Sequence, residues 1–305
     1  MGPFILRRFL ASALTLLAIV LLSFLMMRAV PGGPFDQERV VQPAIKKELE
    51  KKYHLDEPLW RQAVRYLGDL CRGDLGPSLK RPGQTVGEIL GQAFPRSALL
   101  GTVALFIALL LGGGTGVYAA IHHNTARDNV AMGLVMIGVP IPSMVLAPLL
   151  VTFFALTLRW FPTSGWGTFA HLVLPAAALG LAYAARIARL ARGGMLEVLR
   201  QDFIRTARAK GLPERTVIGR HALRLGLSPL VSYLGPAAAG ILTGSFIVEQ
   251  IFAIPGMGHY FVSAAAERDY TLALGTVIVY STLLVVLNLI VDIAQAFLDP
   301  RIRLE

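Results

Sequence analysis

Residues 202–230 read DFIRTARAKGLPERTVIGRHALRLGLSPL, a basic segment set between two apolar stretches. Arg205, Arg208, Lys210, Arg215, Arg220 and Arg224 stand against only Asp202 and Glu214. Gly211 permits a sharp turn that other residues resist. Pro213 suits the first turn of a second helix, and Glu214 is favourable near its positive end. Residues 203–210 and 213–223 are therefore expected to form a helical hairpin lying on one face of a membrane. A basic hairpin of this kind either rests on anionic lipid or seats in a protein socket. The small residues Ala207 and Ala209, with the turn, favour the socket.

The membrane is read from what flanks the hairpin. Of 305 residues, 54% are apolar and 16% charged, against roughly 25% charged in soluble domains. Six long apolar segments stand out: residues 9–30, 97–121, 130–158, 169–190, 228–251 and 272–298. Each reaches the roughly 20 residues that a crossing needs. The expected fold is all-α and integral to the membrane, with six transmembrane helices. It divides into an N-terminal helix (1–30), an outer loop (31–96), a five-helix core (97–298) that includes the hairpin 202–224, and a tail (299–305). The first segment exceeds the ~7–15 apolar residues of a secretory signal, so it is read as a retained span. Pro140, Pro142, Pro148, Pro175 and Pro236 fall inside segments and predict kinks, which membrane helices tolerate.

Short loops set the orientation. With the N terminus inside, inner segments hold fifteen Lys and Arg residues: Arg7, Arg8, Arg127, ten from Arg186 to Arg224, Arg301 and Arg303. Short outer loops hold only Arg159 and Arg268. Both termini are expected on the cytoplasmic side. The same placement makes the net charge of +10 a topological signal and argues against nucleic-acid binding.

The outer loop carries helical patterning. Residues 43–53 read as a charged helix, with Glu48 and Lys52 four apart. A second helix begins near Asp56 and ends at Gly73, Gly76 and Pro77. Leu59, Trp60, Ala63, Val64 and Leu67 form its apolar face. That face could pack on the spans, lie in the membrane interface or receive an external partner; packing is the simplest expectation. Gly112–Gly116 and Gly240–Gly244 have the spacing that lets membrane helices approach closely.

Catalytic patterns are missing. His122 and His123 are adjacent and face apart on a helix, and His54, His171, His221 and His259 are isolated. No H-E-x-x-H and no G-x-x-x-x-G-K-[ST] occurs, and Cys71 is the sole cysteine. No enzyme activity, metal or cofactor is expected on this chain. Glu249, near the outer end of the fifth segment, either lines a pathway or sits at the water interface. Asp292, in the inner half of the sixth, is expected to pair with a cytoplasmic-side arginine as a structural charge. A self-powered secondary transporter would want a stack of acidic or histidine groups, and a membrane scaffold would not need a glycine-rich bundle.

Four ordered stretches now carry a resemblance. Arg205-Thr206-Ala207 with Gly211 after three residues resembles the E-A-A-x-x-x-G loop of ABC-importer permeases. His221-Ala222-Leu223 follows where that family has I-x-L before a proline. The string Phe203-Ile204-Arg205-Thr206-Ala207-Arg208-Ala209-Lys210-Gly211-Leu212 is similar to the oligopeptide/dipeptide branch. So are Val30-Pro31-Gly32-Gly33-Pro34, the run Glu249-Gln250-Ile251-Phe252-Ala253-Ile254-Pro255-Gly256-Met257-Gly258, and Leu298-Asp299-Pro300-Arg301-Ile302-Arg303. The chain departs from the motif in having Arg205 for glutamate and Arg224 for proline.

The resemblance implies a type I ABC-importer permease, the first of the two in its branch. It implies a second homologous permease subunit, two cytoplasmic P-loop ATPase subunits, an extracytoplasmic solute-binding protein, and a bacterial-type inner membrane around the spans. Phe203 to Leu212 would contain the ATPase-coupling helix, and Glu249, Pro255 and Gly256 would belong to a pathway or gate. Peptides are the expected solute, with glutathione, nickel chelates or sugars as alternatives within the same machinery.

Overall fold

The computed structural model describes residues 2–29, 47–48, 51–136, 141–242 and 246–298. Among these the regular structure is helical, apart from one isolated antiparallel bridge between Pro77 and Thr85. Helix α1 (Gly2–Ala29) comes first. Its apolar part is 24 residues long, about 36 Å at ~1.5 Å per residue and enough for a hydrocarbon core of ~30 Å. The helix α2 (Leu59–Cys71) lies in the loop that follows. Then α3 (Val86–Ala108) continues through a π-helical turn, Leu109–Gly113, into α4 (Gly114–Ile121).

After α5 (Ala126–Met136) and α6 (Ser143–Leu150), the latter prolonged by a π-helical stretch Val151–Thr157, comes the central helix α7 (Ala170–Leu199). The basic segment holds α8 (Asp202–Ala209), α9 (Glu214–Thr216), a π-helical stretch Val217–Ala222 and α10 (Leu223–Gly226). The chain then runs through α11 (Ser228–Leu242), α12 (Phe246–Ile251), the short helix α13 (Met257–Glu267) and α14 (Tyr270–Leu298).

Among the described residues five runs are long and apolar enough to cross a membrane: Leu6–Ala29, Val86–Ile121, Ala170–Leu199, Ser228–Ile251 and Tyr270–Ile293. The expected third crossing, residues 130–158, is instead built from α5 and the shorter apolar helix Ser143–Thr157. Pro142 starts the second piece in an extended conformation, φ −57° and ψ 143°, because proline cannot donate to a preceding helical turn. Pro140 and the rest of 137–140 lie outside the described residues, as do Gly244, residues 30–34, 299–303 and most of the expected helix 43–53. Helices run on through Pro148, Pro175 and Pro236.

The second crossing starts earlier than its apolar pattern does. Thr85 caps α3 by accepting from Glu88 N–H at 3.2 Å, and the Glu88 side chain accepts from Thr85 N–H at 2.9 Å. This reciprocal box anchors eleven helical residues, Val86 to Arg96, before the expected start at Ser97.

Helix α7 is the axis of the bundle, packed on α3, α4 and α11. Small residues bring it close. A Cβ on Gly112 would run into the backbone of Ala184, and one on Gly116 into Ala188 O. A Cβ on Gly180 would lie 2.6 Å from Ala104 O. The Gly112–Gly116 pair therefore acts as a helix-crossing surface, with Ala184, Ala188 and Ala191 opposite. Helix α1 stands at the edge, packed along α14. The expected arginine partner of Asp292 is Arg8, at 3.0 Å.

Helix α2 differs from the simplest expectation. Leu59, Trp60 and Val64 are exposed, Ala63 and Leu67 are half-buried, and the residue turned fully inward is Gln62. Its amide donates to Leu55 O at 3.2 Å and Glu57 O at 2.6 Å. These bonds close the loop onto the helix, and part of the apolar face is left outside.

Candidate coupling hairpin and its supporting clamps

The basic segment folds as the hairpin its turn residues dictate. Lys210 ends α8, and Gly211 adopts φ +76°, a left-handed conformation nearly free for glycine. Gly211 N–H donates to Arg208 O at 2.9 Å and Leu212 N–H to Ala207 O at 3.3 Å, the paired bonds of a Schellman C-cap. Across the turn Arg208 binds Glu214 twice, at 2.6 and 3.1 Å. That contact holds the Glu214 carboxyl below its ordinary range.

The two faces of α8 differ sharply. Ile204 and Ala207 are buried, with Met195 and Val198 of α7, Ala120 of α4, and Val217 and Ala222 of the returning arm. Phe203, Arg205, Thr206, Arg208, Ala209, Lys210 and Leu212 are exposed. The small residue of the motif, Ala207, therefore serves close packing against the chain's own spans. The surface offered outward combines two large apolar side chains, Phe203 and Leu212, with basic ones. Arg205, standing where the motif has glutamate, reaches Asp202 at 3.5 Å and remains open to water.

Beside the hairpin, the turn between α4 and α5 is clamped to α7. Asp128 is buried and receives Arg192 Nε at 2.8 Å and Nη2 at 2.7 Å. Asn124 N–H donates to the same carboxyl at 3.1 Å. Arg192 is the chief reason that Asp128 is held down at about 2. His123 lies 3.5 Å from Asp128 and 3.3 Å from Arg200, while His122 meets Tyr118 O at 2.9 Å. Both histidines thus serve the turn.

On the opposite face, Glu249 is buried and fully engaged. Ser97 Oγ donates to its Oε1 at 2.7 Å, and Gly258 N–H at the start of α13 donates to Oε2 at 2.9 Å. Met257 N–H donates to Ser97 Oγ at 2.8 Å. A Cβ on Gly256 would lie 2.5 Å from both Glu249 Oε2 and Ser97 Oγ, so only glycine leaves room. Arg96 donates to Pro255 O at 3.2 Å. The stretch from Glu249 to Gly258 is therefore a knot tying α3, α12 and α13 together, and in this conformation Glu249 faces that knot.

Asp269 makes a similar tie that sequence reasoning missed. It is buried and caps α14, accepting from Leu272 N–H at 3.2 Å, from Leu79 N–H at 3.1 Å and from the Ser78 hydroxyl. An aspartate just before a long apolar run is an ordinary N-cap signal. Its loop partners, about 190 residues away, carried no sequence signal. Among the described residues no cluster of three or more His, Cys, Asp or Glu could hold a metal.

Residues 112–304, which include the hairpin, the Glu249 knot and Asp269, match the family of binding-protein-dependent transport system inner membrane components. The chain belongs to that family. It is 49% identical over 305 residues to the oligopeptide transport system permease protein OppB of Escherichia coli K12, covering 99% of this chain and 100% of that one. It is 46% identical to the dipeptide transport system permease protein DppB of Bacillus subtilis 168, covering 100% and 99%. In three dimensions it resembles a chain of the MetNI methionine ABC transporter, solved in inward-facing conformations. That match has a TM-score of 0.52 and 19% identity, over 70% of this chain and 95% of that one, and it shows a shared fold. As an inner membrane component, the chain is a transport subunit and no enzyme in its own right. The family match begins at Gly112, so α1, α2 and all of α3 lie outside it.

Proposed function

We propose that this chain is one of two transmembrane permease subunits of an ATP-driven importer that passes di- and oligopeptides from a binding protein into the cytoplasm. Full-length similarity to peptide permeases of two bacteria is the observation that carries the solute class. The excess of Lys and Arg on the hairpin side supports a cytoplasmic location for both termini, the Asp128 clamp and the hairpin. The α8 surface then meets a P-loop ATPase subunit, with Phe203 and Leu212 as its apolar contacts. Two such ATPases and a second, homologous permease complete the assembly. Closure of the ATPases moves the hairpin as a rigid body, and the spans packed on Ile204 and Ala207 follow it.

Two measurements test this. Mild-detergent purification should recover a second six-span protein and P-loop ATPases together with the chain. Phe203→Asp with Leu212→Asp should keep the chain inserted and folded, because both side chains are exposed, yet separate ATP hydrolysis from peptide uptake. Normal coupled uptake in that double variant would remove the hairpin from the mechanism.

A further inference from the structure

The outer helix α2 presents an outward surface with two distinct stripes. At about 100° per residue, Trp60, Val64 and Cys71 fall on one line, and Arg61, Arg65 and Arg72 fall on the next. Trp60 and Val64 are 64% and 63% exposed, and Cys71 is exposed as well. On the opposite side Gln62 bonds within the loop to Leu55 O and Glu57 O, and Tyr66 reaches α1. Tyr66 stacks on Phe24 of α1 with ring centroids 6.2 Å apart.

That stacking fixes the level of α2 against the membrane. Phe24 stands five residues before the end of α1 at Ala29, about 7.5 Å along the helix at ~1.5 Å per residue. So α2 lies beside the last turns of a crossing helix, below its end. At that level α1 itself exposes Leu22, Leu25 and Met26 at 60%, 52% and 72%. The exposed apolar stripe of α2 is thus continuous in depth with the exposed apolar surface of a span. A ring able to sit among headgroups, with Arg61 and Arg72 suited to phosphates, completes the pattern of an interfacial helix; Arg65 is engaged by Glu57 at 2.8 Å. Arg61 also packs over the Trp60 ring at 5.2 Å.

We propose that α2 lies in the headgroup–acyl boundary of the bilayer, its Trp60, Val64 and Cys71 stripe against the acyl chains and its arginine stripe against lipid phosphates. It would brace α1 and the loop that holds Asp269. Under the orientation proposed above this is the outer leaflet; the contact itself rests on the depth of α2 along α1 and holds for either orientation.

The sole cysteine of this chain lies on the stripe, so the unmutated chain can be spin-labelled by itself before it is assembled with its partner subunits. A nitroxide on Cys71, in nanodiscs of phosphatidylethanolamine and phosphatidylglycerol, is examined by power saturation with oxygen and with a water-soluble nickel chelate. Collision with oxygen should exceed collision with nickel, giving a depth of about 5–10 Å below the headgroups. Strong nickel collision would put the stripe in open water, and weak collision with both would mean that protein covers it; either result overturns the proposal. Nanodiscs leave both faces accessible, so the depth does not depend on sidedness. Protease digestion of right-side-out spheroplasts reports sidedness separately, which keeps a wrong orientation distinct from a wrong location.

Discussion

Replacing Glu249 separates a structural knot from a transport pathway. The side chain is 1% exposed and accepts from Ser97 Oγ and Gly258 N–H. In Glu249→Gln one oxygen becomes an NH2 group. If it faces Gly258, two donors oppose each other. If it faces Ser97, the hydroxyl must accept from it while already accepting from Met257 N–H. Either way one buried donor is left without a partner, at about 1–3 kcal/mol. Glu249→Ala removes both acceptors and leaves a void, for about 3–6 kcal/mol in all. At about 2 °C per kcal/mol for a chain of this size, the detergent-solubilised assembly should lose a few degrees with Gln and about 6–12 °C with Ala. Ser97→Ala removes the same hydroxyl, so its cost added to that of Gln should exceed the cost of the double variant. The assay is the apparent midpoint of unfolding beside peptide uptake in proteoliposomes. A Glu249→Ala protein with the unfolding midpoint of the unmutated chain but no uptake would refute the knot and make this carboxyl part of the pathway.

Other consequences follow from the same geometry. Asp128 is depressed to about 2 from an ordinary 3.8, so its contribution is present above the ordinary value and is lost as pH falls from about 4 toward 2. Asp128→Asn should cost about 1–3 kcal/mol, reduced by the access of water to Arg192, which is 28% exposed. The difference from the unmutated chain, read as protease sensitivity of the turn at His122–Thr125, should persist from pH 7 to pH 5; its disappearance by pH 5 would be inconsistent with the clamp. Gly180→Ala places a Cβ 2.6 Å from Ala104 O and should destabilise by about 1–3 kcal/mol. Gly133→Ala, with nothing within 4 Å, should be neutral or slightly stabilising on the same thermal scale. Ala207→Glu should lower stability by placing a carboxyl among Met195, Val198 and Val217, where Phe203→Asp should leave it unchanged.

Local rules made much of this protein legible from its amino-acid order. A run of about 20 apolar residues has few ways to exist other than as a crossing helix, so five of the six expected spans have a counterpart among the long apolar helical runs of the described residues. Gly211 before Leu212-Pro213 dictated the hairpin because only glycine takes the left-handed turn without strain. The spacing of Gly112 and Gly116 announced a close crossing, although not its partners on α7. Where the pattern misled, a local signal had been outweighed. The Thr85–Glu88 box started α3 before its apolar run, and Pro142 divided the third crossing.

Tertiary structure alone decided which way each functional side chain turned. Ala207 carries the motif, yet only the packing of α8 on α7 shows that it faces the chain's own core and leaves Phe203 and Leu212 for a partner. An acid such as Glu249 in an apolar segment has several readings in a sequence. The meeting of Ser97, Gly256 and Gly258 around it, from segments some 150 residues apart, makes it a tie. Arg192 likewise gains its role from Asp128, 64 positions away. The physical reason is common to all three. Helix and turn formation depend on neighbours in the chain, while the environment of a buried polar group depends on which distant segments the bundle brings into hydrogen-bonding range.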